Sequence, residues 1–269
     1  MKLKHIVITR VDAGQRWLGI PGIERTPGGR LYITWFSGGE TEPAPENAVF
    51  LSWSDDGGRT FGQPVLMAAP EHGARAFDSA LWIDPAGALW LIYNRSNREA
   101  GRHGVWVRTC ARPDEDVPVW SGPRHIPFDV SYSFRLNKPT VLSTGEWLMP
   151  MTHGPARNAE WFAHRQNLQG VGLSEDQGRT WTLHGAVAAP PLASENMVVE
   201  RRDGSLLMYM RTGSGFLWQS ESSDKGRTWS EGAPTSVASP GSRFHLRRLA
   251  DGDWLLINKC DLGTGAQLD

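Results

Sequence analysis

Ser174-Glu175-Asp176-Gln177-Gly178-Arg179-Thr180-Trp181 is the stretch that decides how this chain is read. The pattern, S-x-D-x-G-x-T-aromatic, recurs at Ser54-Asp55-Asp56-Gly57-Gly58-Arg59-Thr60-Phe61 and at Ser222-Ser223-Asp224-Lys225-Gly226-Arg227-Thr228-Trp229. Its logic is mechanical. Ser, Asp and Thr side chains can hydrogen-bond the backbone of their own turn, Gly accepts the positive φ that closes it, and the aromatic anchors the next strand. Asp56, Asp176 and Asp224 therefore read as structural staples of a repeated turn, not as catalytic or metal-binding groups.

A second repeat interleaves with the first: an apolar run, a turn with Gly, then another apolar run. It appears as Pro27-Gly28-Gly29-Arg30-Leu31-Tyr32-Ile33-Thr34-Trp35 and returns around Gly87, Gly145, Gly204 and Gly252. These five glycines, starting with Gly29, are 58, 58, 59 and 48 residues apart. That period suits a four-stranded propeller blade, in the order strand A, Gly turn, strand B, variable loop, strand C, Asp turn, strand D. The fold expected is all-β: a six-bladed β-propeller, of which the chain covers about four and a half blades as a single domain, 1–269. Blade 1 is expected at about 17–66, blade 2 at 76–127, blade 3 at 134–188, blade 4 at 194–238 and a partial blade 5 at 242–269. Blade 2 carries only a degenerate turn, Thr109 to Asp116 with Trp120 following. Closing six blades at this period takes on the order of 70 to 100 further residues, so a truncated chain or fragment is expected. The alternative is a five-sheet arrangement closed by the N-terminal strand.

Composition agrees with a turn-rich all-β chain: 269 residues with 13 Trp, 30 Gly, 18 Pro and 21% charged residues. A formal net charge of −1 with no basic stripe argues against nucleic-acid binding. The N-terminus has an apolar run of only three residues, Ile6-Val7-Ile8, too short for a signal peptide, and no segment is fit to span a bilayer. Cys110 and Cys260 form neither a C-x-x-C motif nor a disulfide framework; two buried thiols in a cytoplasmic protein fit them. The eight His include no H-E-x-x-H, and there is no EF-hand spacing or phosphate loop, so neither a metal nor a cofactor is expected.

Because strands alternate in direction, the Gly turns and Asp turns share one face and the long loops the other, where function belongs. That second face collects Glu40, Glu42 and Glu46 from blade 1, Asp78, Asn94 and Arg95 from blade 2, and Arg135, Asn137, Lys138 and His153 from blade 3. Blades 4 and 5 add Glu195, Asn196, Arg211, Arg243, His245, Asn258 and Lys259. Polar side chains at inner strand ends in every blade point to a ligand site at the propeller axis. The plainer alternative is that they cap strand ends and meet water.

The Asp turns and the stretch Glu195-Asn196-Met197-Val198-Val199-Glu200-Arg201-Arg202-Asp203-Gly204-Ser205-Leu206-Leu207-Met208-Tyr209-Met210-Arg211 resemble bacterial sialidases and the wider BNR-repeat, Asp-box propellers, over essentially the whole chain. Sialidases carry E-x-x-V-V-E-x-x-D-G-x-L-L-x-x-x-R, in which the first Glu polarises a nucleophilic Tyr and the last Arg grips the substrate carboxylate. The resemblance assigns those roles to Glu195 and Arg211; an interior salt bridge is the structural alternative. It assigns the general acid of the first long loop to Glu42, with Glu40 and Glu46 as rivals.

Two departures stand against it. The family's first substrate Arg opens a strand as R-I-P, whereas this chain reads Leu18-Gly19-Ile20-Pro21. The third Arg and the Tyr would fall beyond Asp269. The resemblance implies an exo-acting glycoside hydrolase for a terminal, acidic or neutral sugar, with Glu195 as base or nucleophile-activating group. Catalysis would draw on Glu195, Glu42 and Asp78, and binding on Arg211, Arg135, Asn137, Lys138, Arg243, Arg95, His153 and His245. A non-catalytic carbohydrate-binding propeller is the other reading.

Overall fold

A computed structural model of the chain describes residues 6–10, 17–97, 102–130, 132–134, 137–154, 167–190, 193–249 and 251–259. Among these residues every regular element is a β-strand. The chain forms two compact units, Met1–Pro127 and Phe128–Asp269.

The first unit holds two antiparallel four-stranded meanders, each in sequence order. One runs β1 (Leu18–Arg25), β2 (Leu31–Ser37), β3 (Ala48–Ser54) and β4 (Val65–Ala68); the other runs β5 (Arg75–Ile83), β6 (Leu89–Asn97), β7 (Arg102–Cys110) and β8 (Arg124–Ile126). In the second unit, β9 (Tyr132–Phe134) and β10 (Thr140–Val141) both pair β11 (Trp147–Gly154), followed by β12 (Leu168–Ser174) and β13 (Thr182–Ala188). β9 takes one end of β11 and β10 the other, so they are two halves of one innermost strand, with Asn137 between them. A further four-stranded sheet follows: β14 (Ser194–Glu200), β15 (Leu206–Arg211), β16 (Phe216–Ser222) and β17 (Ala233–Ala238). The last sheet pairs β18 (His245–Arg248) with β19 (Trp254–Ile257).

β2, and β11 in its five-stranded sheet, each sit between neighbouring strands and read as near-continuous apolar runs. Every residue of β11 is buried, and all but the first of β2. Outer strands such as β17 alternate between half-buried and exposed. The sheets stack face to face. In the first unit Tyr32, Phe36, Val49 and Leu51 interlock with Phe77, Leu81, Leu91 and Tyr93. In the second, Leu148, Val171 and Leu173 meet Val198, Leu206 and Met208, and Met197, Val199 and Leu217 meet Phe244 and Leu246. Each fully buried Leu or Met contributes about 1.5–3 kcal/mol.

The turns behave as their side chains dictate. In the first Asp turn Ser54 Oγ donates to Asp56 Oδ1 at 2.8 Å and accepts from the Gly58 amide at 2.9 Å, while Asp56 Oδ2 accepts from the Thr60 hydroxyl at 2.7 Å. The same ring of bonds closes at Asp176 and Asp224, where the Thr180 and Thr228 hydroxyls donate at 2.6 Å. The glycines that close them, Gly58, Gly178 and Gly226, stand at φ of 83°, 80° and 86°, open to Gly at little cost.

The second sheet of the first unit fastens its turn differently. The carboxylate tied down is Asp114, and the donors come from the neighbouring sheet: the Thr26 hydroxyl, and the Gly28 amide at 3.0 Å. Arg30 donates to the carbonyls of Pro113 and Glu115 at 2.9 and 2.6 Å, and Tyr32 to that of Pro113 at 2.6 Å. Trp120 meets Tyr32 edge-on, its ring centre 6.4 Å away.

Candidate functional site

The second unit builds a polar site on the first residues of β14. Pairing of β14 with β15 slips between Ser194 and Met197, and Glu195 in that bulge has φ of 53°, a left-handed conformation for a residue that is not glycine. Such backbone persists only where the surroundings over-determine it, and bulges commonly re-aim a side chain at a site. Here the surroundings do so. The Asn137 amide donates to the carbonyls of both Glu195 and Asn196 at 2.9 Å. Asn196 in turn donates to Met151 O at 2.8 Å and to Gln169 Oε1 at 3.0 Å, pinning the bulge to the adjacent sheet.

Glu195 is 5% exposed, and its Oε2 accepts from Arg211 Nη1 at 2.6 Å, while Arg211 keeps 35% of its side chain exposed. A carboxylate in this position is a charge-assisted acceptor whose partner still turns donors outward. Arg243 joins the same network: its Nε donates to Asn137 Oδ1 at 3.1 Å. The structure thus brings Glu195, Arg211, Asn137 and Arg243 together. Lys138 follows Asn137 and is half-buried, and His245 opens β18. Arg135 lies outside the described residues. His153 is kept inside its sheet, 7% exposed with Nε2 2.8 Å from Gly185 O. Burial holds its pKa below the usual imidazole value, against the opposing pull of that carbonyl. Asn258 donates to Ala238 O at 2.6 Å.

In the first unit Asp78 occupies the corresponding place of its own sheet. Pairing of β5 with β6 slips between Phe77 and Ala80, and Asp78 is 7% exposed with φ of 48°. Glu42 is engaged by Arg75, whose Nη1 lies 3.5 Å from Glu42 Oε1 and 3.0 Å from Asn47 Oδ1. Arg95 packs over the Trp106 ring at 5.4 Å, donates to Ala69 O at 3.0 Å and pairs with Glu71 at 3.3 Å. At Gly19 the register places Phe36 directly across the strand pair, and an added Cβ would meet the Phe36 ring at 2.1 Å. The space a longer residue needs at position 19 belongs to that ring.

Sequence reasoning missed two things here. Gln169, fully buried, accepts from Thr152 at 2.9 Å and donates to Ala193 O at 3.1 Å, supporting the bulge from behind. Its only signal was a polar residue inside an otherwise apolar strand. The left-handed backbone of Glu195 had no signal, and that of Asp78, a residue type that tolerates it, was hidden because Asp78 sits inside a strand and not in a turn motif. Among the described residues no cluster of three or more His, Cys, Asp or Glu is arranged to hold a metal ion, and no helix is long and apolar enough to cross a membrane.

The family model for the BNR repeat-like domain matches residues 29–263. No curated protein matches the chain by sequence. Among solved structures, a Hadza microbial sialidase aligns with TM-score 0.70 at 18% identity over 89% of this chain and 52% of its own. A protein of unknown function from Dyadobacter fermentans aligns with TM-score 0.72 at 17% identity, over 93% of this chain and 77% of its own. The Trypanosoma rangeli sialidase, captured with 2,3-difluorosialic acid as a covalent intermediate, aligns with TM-score 0.68 at 17% identity over 90% and 43%. This chain thus spans about half the length of these sialidases, or less, and the likeness fixes the fold as the sialidase-like β-propeller.

Proposed function

This chain belongs to the BNR repeat-like family, and from that premise we propose that it is a sialidase-like glycoside hydrolase, exo-acting on a terminal sugar at the Glu195–Arg211 site. What carries the reading is the buried Glu195 carboxylate, held on a left-handed bulge and paired with Arg211 at 2.6 Å. A carboxylate so fixed can accept a proton from a hydroxyl nucleophile, and the exposed remainder of Arg211 can fork onto an acceptor group of the sugar. The chemistry then needs one further group, a tyrosine hydroxyl in the sialidase manner or a second carboxylate.

The test is Glu195→Gln against aryl glycosides of sialic, uronic and neutral sugars. Turnover is expected to fall roughly a hundredfold or more with the melting temperature unchanged. Wild-type turnover in the variant removes Glu195 from the mechanism. The second reading, a carbohydrate-binding propeller without turnover, is favoured by Phe36 filling the space at Gly19, where sialidases carry their first substrate Arg. Sugar binding without hydrolysis of any glycoside in the panel selects that reading.

A further inference from the structure

We infer that Asn137 is a positioning residue for Glu195 and not a group that touches the sugar; that a sugar reacts there rests on the reading above. β9 ends at Phe134 and β10 begins at Thr140, so Asn137 stands between the two halves of the innermost strand, outside the ladder to β11. Its side chain turns to the next sheet instead, where Nδ2 donates to the carbonyls of Glu195 and Asn196 at 2.9 Å each. These two residues of β14 oppose a single residue of β15, Met210, because the pairing passes from Ser194↔Arg211 to Met197↔Tyr209. One amide therefore holds the whole bulge.

That amide can lie only one way round. Carbonyl oxygens accept and a guanidinium N–H donates, so Nδ2 must face the bulge and Oδ1 must face Arg243 Nε, 3.1 Å away. Turning the group over would set its oxygen against two carbonyls and its nitrogen against the guanidinium. Arg243 thereby fixes the orientation of a side chain whose other end holds Glu195 at φ of 53°. Asn137 is 3% exposed and both its amide protons are engaged, so it has little to offer a ligand. Arg211, paired with Glu195 and 35% exposed, is the member of the network that meets solvent. Thr140 supplies the contrast. Its hydroxyl donates to Val198 O at 2.7 Å across the same junction between sheets, but Val198 pairs in regular register with Met208. Thr140 fastens the two sheets where the ladder is regular, and Asn137 fastens them where the ladder gives way to aim Glu195.

The experiment compares the wild type with Asn137→Asp and Thr140→Val in the full chain. Asn137→Asp keeps the shape of the side chain and an acceptor for Arg243 but loses both donors to the bulge; Thr140→Val removes only the neighbouring bond. On the aryl glycoside that the wild type turns over, kcat is read at the plateau of its pH profile. Asn137→Asp is expected to lower kcat roughly tenfold or more with KM within about twofold, the mark of a misplaced group and not of a lost sugar contact. Thr140→Val is expected to stay within about twofold of wild type in both. Hydrogen exchange followed by mass spectrometry is the second readout: the peptide 194–199 is expected to exchange roughly tenfold or more faster in Asn137→Asp and at the wild-type rate in Thr140→Val. A wild-type kcat, a raised KM with kcat unchanged, or wild-type protection of 194–199 in Asn137→Asp overturns the inference, and so does the same response in Thr140→Val. If Asn137→Asp does not fold, Asn137→Ser, which offers one donor in place of two, is judged by the same criteria. Exchange needs no turnover, so the two readings fail separately. A chain that hydrolyses none of the glycosides sinks the hydrolase, and the exchange comparison still decides whether Asn137 holds the bulge.

Discussion

Gly19→Ala is the smallest change that probes why this chain departs from the sialidase pattern. The new Cβ would lie 2.1, 2.3 and 2.4 Å from three ring atoms of Phe36. Ordinary carbon contacts sit at about 3.5–4.0 Å, so ring or strand must yield by about 1.5 Å. Phe36 has little freedom to do so, because it is fully buried and packs edge-on against Phe77 with ring centres 6.4 Å apart. Overpacking of this kind costs about 1–3 kcal/mol, and the closeness of the contact puts Gly19→Ala at the upper end. The assay is equilibrium denaturation in urea of four proteins: wild type, Gly19→Ala, Phe36→Ala and the double variant. Phe36→Ala alone is expected to lose about 3–5 kcal/mol through its cavity. In that background the methyl group added at position 19 meets empty space, so adding it should cost almost nothing, giving a coupling of about 1–3 kcal/mol. A Gly19→Ala midpoint equal to wild type, or the same loss in both backgrounds, refutes the steric reasoning. By the same geometry Gly19→Arg alone does not restore a sialidase-type arginine.

Two further outcomes follow from the backbone and the Asp turns. Because Glu195 stands at φ of 53°, Glu195→Gly should be more stable than Glu195→Ala by about 1 kcal/mol, both lacking the carboxylate; urea midpoints in the reverse order contradict the strain at that bulge. Partial burial of Asp224 is outweighed by the bonds from Thr228 and Ser222, which hold its pKa down at about 2. A depressed carboxylate pKa stabilises the fold fully above the unfolded value near ~3.9 and loses that effect as pH falls through the folded one. Asp224→Asn should therefore be less stable than wild type at pH 7, with the gap closing towards pH 2; a gap independent of pH across that window contradicts it.

The all-β propeller was legible because its signals are local. Ser174, Asp176, Gly178 and Thr180 bond one another within seven residues, so the pattern and the structure it makes occupy the same stretch of chain. The contact between Glu195 and Arg211 was legible for a similar reason: they lie at the same end of paired strands joined by a short Gly turn, where Ser194 stands across from Arg211. What lay beyond the sequence was set by partners far apart along it. Arg243 and Asn137 are separated by 106 residues, and nothing near either names the other. Glu42 reads from the sequence as the acid of the first long loop, and its partner Arg75 lies 33 residues further along the chain. The occupant of the space at Gly19 is a cross-strand neighbour whose apolar character read simply as core.

The turn that holds Asp114 differs from the others in what it depends on. At Asp56, Asp176 and Asp224 the staple is self-contained, so each turn can form before its neighbours and reopen without them. The turn at Asp114 is closed by Thr26, Gly28 and Arg30 of the preceding sheet, and exists only once that sheet is in place. The two sheets of the first unit are thereby bound into one cooperative folding step, in which opening either releases both.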